Sequence, residues 1–371
     1  MTNRRDIPIH HVAFIKVHKA ASTSVQNIFY RYGYHHNLSV AQPRFTTGLL
    51  WSSPVVREKF LPPPKGQKKY DLMCVHSTYS RTAFDKLLPN DSVYIGIVRE
   101  PFKQFASSVN YYQRNRVLNI PGNNPVRTFL TDALGNQRFV STSDHRVFNT
   151  QSRDFGTPLK LLSSKYDEYQ FRRYLQQLDK ELDLVLLVER FAESMVLMRR
   201  LLKWEVKDII SAKLNGRGFP PRFQFGVKEE QLVKRIAQYD YALYDFFKKK
   251  FQEKIEHQPP DFYDELAYFK QASKRYNEFC ISLQKYNKDT SDVLKFEETT
   301  WNKPFTVTIA DFPCNKNGTG NQTPVPCNKT ELETRLKIRV TKMEPETRLK
   351  FRVTKTEPET RLKFRVTKTD L

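Results

Sequence analysis

The chain has 371 residues, 39% of them apolar and 13% aromatic, enough to bury one large core or two modest ones, so disorder throughout is excluded. A formal charge of +22 raises the question of a nucleic-acid partner, but Lys and Arg are spread along the whole length, which suits an enzyme of anionic donors equally well. No run reaches the roughly 18 to 20 apolar residues of a membrane span, and Met1-Thr2-Asn3-Arg4-Arg5-Asp6 leads into the first strand without the apolar region of a signal peptide.

In chain order, residues 12–17 read as a short apolar strand that runs into Lys16, His18, Lys19, Ala20, Ala21, Ser22, Thr23 and Ser24 and then into a helix at 24–32. A helix start offers unpaired N–H groups and a positive dipole end, so Lys and hydroxyls there make an anion cradle. Further strands are predicted at 72–76, 93–98 and 184–188, with helices at 102–112 and 192–204. Strand and helix in alternation imply a parallel sheet with right-handed crossovers. Two long amphipathic helices are expected within 229–256 and 261–286.

From about Lys303 the sequence turns rich in Pro, Asn and Gly, and from Thr334 it repeats a 13-residue unit that reopens at Thr347 and Thr360. Residues 303–333 are read as a turn-rich segment and 334–371 as tandem repeats without a catalytic role, since short units of this kind bury little. The sequons at Asn37, Asn90, Asn317, Asn321 and Asn328 are what a lumenal protein would display, above all the last three. Cys314 and Cys327 could close a local disulfide or remain two thiols, and Cys74 and Cys280 complete a set with no metal-ligand spacing.

A second anion site is predicted at Arg99, which ends the 93–98 strand, with Ser107 roughly two turns into the following helix. The competing reading pairs Arg99 with Glu100 or another carboxylate and leaves Ser107 to solvent. Because residues 12–24 contain no glycine, a Walker-type NTPase loop is disfavoured. Two anion sites on neighbouring strand ends instead suit a nucleotide phosphorylated at both 5′ and 3′ positions, the shape of 3′-phosphoadenosine 5′-phosphosulfate.

The segments HHVAFIKVHKAASTSVQNIFYRYGYHHNLSVA, NDSVYIGIVREPFKQFASSVNYY and LDLVLLVERFAESMVLMRRLLKW, with KLNGR at 213–217 and YDYALYDFFKKKF at 239–251, resemble the galactose-3-O-sulfotransferase family over roughly residues 9–256. The resemblance implies a three-layer, P-loop-like α/β sulfotransferase fold with a central parallel sheet, occupying residues 9–302 and followed by an irregular, repeat-bearing C-terminal tail. It further implies transfer of the sulfuryl group from 3′-phosphoadenosine 5′-phosphosulfate to the 3-hydroxyl of a terminal β-galactose, without a metal. Lys16, Lys19, Ala20, Ala21, Ser22, Thr23 and Ser24 match the family's 5′-phosphosulfate loop, and Arg99 and Ser107 its 3′-phosphate site. Ala20-Ala21-Ser22 stands where relatives often carry Thr-Ala-Gly or Thr-Gly-Ser, one hydroxyl fewer. The implied partner is a galactose-terminated glycolipid or glycan, not nucleic acid. The implied location is the lumenal face of the Golgi membrane, through an N-terminal anchor that this sequence does not contain.

Sulfuryl transfer needs a base for the acceptor hydroxyl and a cation for the leaving phosphate. Lys19 suits the second role. For the base the candidates are His76 and His18, since a neutral imidazole titrates near 6.5. His76 is preferred because the second strand's end sets it beside the sulfuryl group, and the family carries a His there, while His18 organises the loop. Two rivals remain at this stage: a sulfotransferase of another carbohydrate such as a glycosaminoglycan, and a non-catalytic sulfotransferase-like binding protein.

Overall fold

The structure is a computed structural model that describes residues 7–44, 57–113, 117–135, 147–163, 165–211, 223, 225–286 and 293–308. Its centre is a parallel sheet of β1 (Val12–Phe14), β2 (Leu72–Met73), β3 (Val93–Val98) and β4 (Leu184–Leu187), in the spatial order β2-β1-β3-β4. The strands are almost continuous runs of buried apolar residues, as expected where helices cover both faces of a parallel sheet.

The helices are α1 (Ser22–His35), α2 (Arg81–Asp85), α3 (Pro101–Ser108), α4 (Pro125–Leu134), α5 (Thr150–Asp154), α6 (Glu168–Glu181), α7 (Phe191–Leu202), α8 (Val227–Ile236), α9 (Gln238–Glu256) and α10 (Asp261–Tyr286), with shorter helical turns between some of them. A hairpin of β5 (Val293–Phe296) and β6 (Phe305–Thr308) follows and carries the folded body across residue 302, with Phe296 and Val307 in the main core. That core takes in the sheet, α1, α7, α9 and α10. A smaller one gathers Phe105, Val109, Val126, Phe129, Leu130 and Val233 beside α3.

Three expectations are corrected. The first two strands are shorter than 12–17 and 72–76, because the residues beyond them leave the ladder; the Lys16 carbonyl, for instance, accepts from the His76 ring at 2.9 Å. The single helix within 229–256 is two helices, broken at Ala237, where Asn149 takes the Asp240 N–H at 3.2 Å. The helix predicted to 112 stops at Ser108 and passes into a π-helical turn, Val109–Gln113. The 93–98 strand and the 261–286 helix have their predicted bounds.

Two glycines let α5 close on the sheet. A Cβ on Gly96 in β3 would come within 2.7 Å of the Phe155 ring, and Gly156, at φ 84°, has the Tyr79 carbonyl oxygen 2.2 Å from where its Cβ would stand. The motif at 213–217, the cysteines at 314 and 327, the sequons at 317, 321 and 328 and the repeats at 334–371 lie outside the described residues. Cys280 on α10 is disulfide-bonded, and Cys74 is buried and free. Among the described residues no helix is long and apolar enough to cross a membrane.

Candidate active site

Because all four strands run parallel, the segments after β1, β2 and β3 emerge on one edge of the sheet. The chain leaves β1 for β2 on one side and returns to β3 on the other, so the β1 loop sits at the crevice where an open α/β sheet takes its ligands. His76 follows β2, residues 16–21 follow β1, and Arg99 follows β3.

The β1 loop is tightly bound to itself and its neighbours. Lys19 and Ala21 both have left-handed backbones, at φ 59° and 52°, conformations that non-glycine residues adopt only when the surroundings hold them. Ser22 Oγ donates to the Val17 carbonyl at 2.5 Å, so its one proton braces the loop and a phosphate there would meet its N–H. Thr23 is exposed and Ser24 nearly buried at the start of α1. Lys16 turns inward: its Nζ donates to Gln26 Oε1 at 2.6 Å, and Gln26 in turn donates to the Cys74 carbonyl. Ala20 is wholly buried beneath the loop.

His18 and His76 stack, with ring centroids 3.7 Å apart and planes 15° from parallel. His18, only 1% exposed, has both its backbone N–H and its Nδ1 2.8 Å from Asp154 Oδ2. His76 is half-buried, its Nδ1 on the Lys16 carbonyl. A carboxylate and a carbonyl can only accept, so both rings carry a proton on Nδ1.

Arg99 Nη1 donates to the Lys19 carbonyl at 3.0 Å, tying the end of β3 to the loop. Its Nε is buried and has no hydrogen-bond partner among the described residues, and burial pushes the guanidinium pKa down, with Glu189 and Glu100 only partly opposing that. The Glu100 pairing does not form: that carboxylate caps α3, accepting from Phe102 and Lys103 N–H at 2.9 and 2.8 Å, and among the described residues no carboxylate is within ion-pair distance of Arg99. Ser107 is half-buried on α3. A part-buried cation whose buried Nε has no acceptor among the described residues, next to a loop rich in N–H groups, fits a phosphorylated ligand.

The sequence profile of the galactose-3-O-sulfotransferase family matches residues 2–333. The chain belongs to the galactose-3-O-sulfotransferase family. It is similar to galactose-3-O-sulfotransferase 2 of Homo sapiens, 29% identical over 65% of this chain and 60% of that protein. Galactose-3-O-sulfotransferase 3 of Mus musculus is 31% identical over 66% of the chain and 57% of its own length. Galactosylceramide sulfotransferase of Homo sapiens is 26% identical over 74% and 64%. The chain thus spans about three-fifths of the length of the first two relatives.

In this family member a short helix that sequence patterns missed holds the site together. Gln151 on α5 clamps Arg99 by its backbone, its Oε1 accepting the N–H and its Nε2 donating to the carbonyl, each at 2.8 Å. Asp154, at the other end of α5, holds His18. Asp240 on α9 accepts the N–H groups of Gln151 and Ser152 at 3.3 and 2.7 Å, and burial pushes its carboxyl pKa up to about 6 against those hydrogen bonds. Gln104 on α3 donates to the His18 carbonyl at 3.1 Å. A five-residue helix has no periodicity to read, but polar residues with no solvent-facing pattern, Gln151 and Asp154, were a faint signal. Among the described residues no group of three His, Cys, Asp or Glu could hold a metal ion.

Proposed function

We propose that the protein is a P-loop-like sulfotransferase that moves the sulfuryl group of 3′-phosphoadenosine 5′-phosphosulfate to the 3-hydroxyl of a terminal β-galactose on a glycolipid or glycan. The observation that carries this is the part-buried Arg99 guanidinium, bonded to the Lys19 carbonyl and lacking an acceptor for its buried Nε among the described residues. With Ser107 it would hold the 3′-phosphate, while the N–H groups of 19–24, with Thr23 and Ser24, would cradle the 5′-phosphosulfate. The family names of the relatives support galactose as the acceptor.

The acceptor hydroxyl gives its proton to His76 Nε2 as its oxygen bonds to sulfur. The bond from sulfur to the bridging oxygen breaks on the opposite side, and the charge left on that oxygen is met by Lys19. His18, fixed by Asp154 and stacked beneath His76, orients the base. Lys16 serves through its carbonyl on His76 and its charge behind the loop. The reaction assigns no step to a metal. The work is assigned to the body from residue 9 through the β5–β6 hairpin. A lumenal Golgi location accords with the Cys280 disulfide and with exposed sequon residues Asn37 and Asn90.

The test is incubation with sulfur-labelled donor and a panel of galactosylceramide, lactosyl glycans and desulfated heparan. Label on the galactosides at the 3-position is expected. Label on heparan alone overturns the acceptor reading, and donor binding without transfer to any acceptor overturns the enzyme.

A further inference from the structure

Lys19, the residue assigned to the leaving group, is met by two aromatic rings that the reaction scheme does not use. Its Nζ lies 3.8 Å from the ring centroid of Tyr111 and 6.0 Å from that of Tyr112. The two rings stand perpendicular, with centroids 4.7 Å apart, so the ammonium occupies a corner between them. Both tyrosines ride on the π-helical turn Val109–Gln113, directly after α3 and about one turn past Ser107. Asn110 Nδ2 donates to the Ala106 carbonyl at 2.8 Å within the same turn. Turns of this kind are uncommon and recur where a helix has to aim side chains at a site.

Tyr111 is 46% exposed, which is more than a core role requires of a large aromatic residue. We propose that Tyr111 is a positioning residue for Lys19, its ring face holding the ammonium at the donor site before and during transfer. The proposal rests on the sulfuryl-transfer reading above and names the group that prepares its leaving-group cation.

The physical case turns on what kind of partner a leaving-group lysine can tolerate. A lysine side chain is long and strongly hydrated, and left free it samples many rotamers. A carboxylate would fix it but would also neutralise the charge that the departing oxygen needs. The face of an aromatic ring attracts the cation through its quadrupole, leaves the net charge in place and leaves N–H donors for an oxygen. The backbone end is already fixed, since Lys19 has a left-handed conformation and its carbonyl accepts from Arg99. Tyr111 fixes the other end. Ser107 on α3 and Tyr111 on the turn that continues it thus lie about one turn apart.

The experiment compares Tyr111→Phe and Tyr111→Leu in the full chain by steady-state transfer to a galactoside. Phe keeps the ring face and should retain kcat within about twofold, whereas Leu should lower kcat about three- to tenfold, the scale of a cation–π contact. The acceptor KM and the melting temperature should hardly move. In a Lys19→Ala background Tyr111→Leu should have no further effect. A raised acceptor KM with unchanged kcat, or full additivity with Lys19→Ala, overturns the proposal. A second readout does not need turnover: the Lys19 ε-methylene protons should show an upfield ring-current shift in the wild type and in Tyr111→Phe that Tyr111→Leu abolishes. Its absence from the wild type overturns the positioning role. Wild type that shows the shift yet transfers nothing overturns the underlying reaction instead.

Discussion

Arg99 is held where a cation is costly. Its guanidinium is largely desolvated, its pKa is lowered by that burial, and one donor goes unused. On the proposed 3′-phosphate role, binding and stability should respond in opposite directions. Arg99→Ala should leave the melting temperature of the free protein unchanged or raised, while weakening 3′,5′-bisphosphate binding by about 2 kcal/mol or more, some thirtyfold. Thermal shift with and without the nucleotide reads both quantities. A nucleotide-induced shift as large as that of the wild type would remove Arg99 from the site. The place of Arg99 at the end of an apolar strand was legible in the sequence; that no carboxylate among the described residues pairs with it was not. The Ser22 bond to the Val17 carbonyl and the Lys16 bond to Gln26 were equally hidden, since both join groups that local sequence does not pair.

Among the elements, α5 matters out of proportion to its five residues. It joins Arg99 through Gln151 and His18 through Asp154, and it reaches them only because Gly96 and Gly156 leave room. Gly156→Ala sets a Cβ against the Tyr79 carbonyl in a left-handed conformation, so it should cost about 3 kcal/mol or more. Urea unfolding with an unshifted midpoint would contradict this account of how α5 is seated. The long or strongly apolar elements, β3 and α10, were readable to the residue from the sequence. The break at Ala237 was not, since apolar periodicity continues across it and the interruption comes from Asn149, 91 residues away from the Asp240 it contacts. The π-turn was equally hidden, because its residues are ordinary helix residues and only their register changes.

For the molecule as a whole, the strand order decides where chemistry can occur, and strand order is not written in local periodicity. The sequence supplied the strands and the loops; placing β1 between β2 and β3 is what brings His76, the β1 loop and Arg99 to one crevice. Beneath that crevice α9 contributes Asp240, whose carboxyl is pushed from 3.8 up to about 6 by burial. A folded-state pKa above the unfolded one means the native protein binds more protons between those values, so stability from this group is complete below pH 4 and is lost as pH rises through 6. The loss approaches about 3 kcal/mol at most. Asp240→Asn should flatten the global stability profile between pH 4 and 6, and a profile as steep as the wild type's would assign that titration elsewhere. In the proposed transfer His76, whose Nδ1 proton is committed to the Lys16 carbonyl, takes the acceptor's proton on Nε2. Transfer from saturating labelled 3′-phosphoadenosine 5′-phosphosulfate to a galactoside by His76→Ala tests it most directly. The rate should fall at least about a hundredfold while bisphosphate affinity stays within about twofold, and turnover equal to that of the wild type would contradict it.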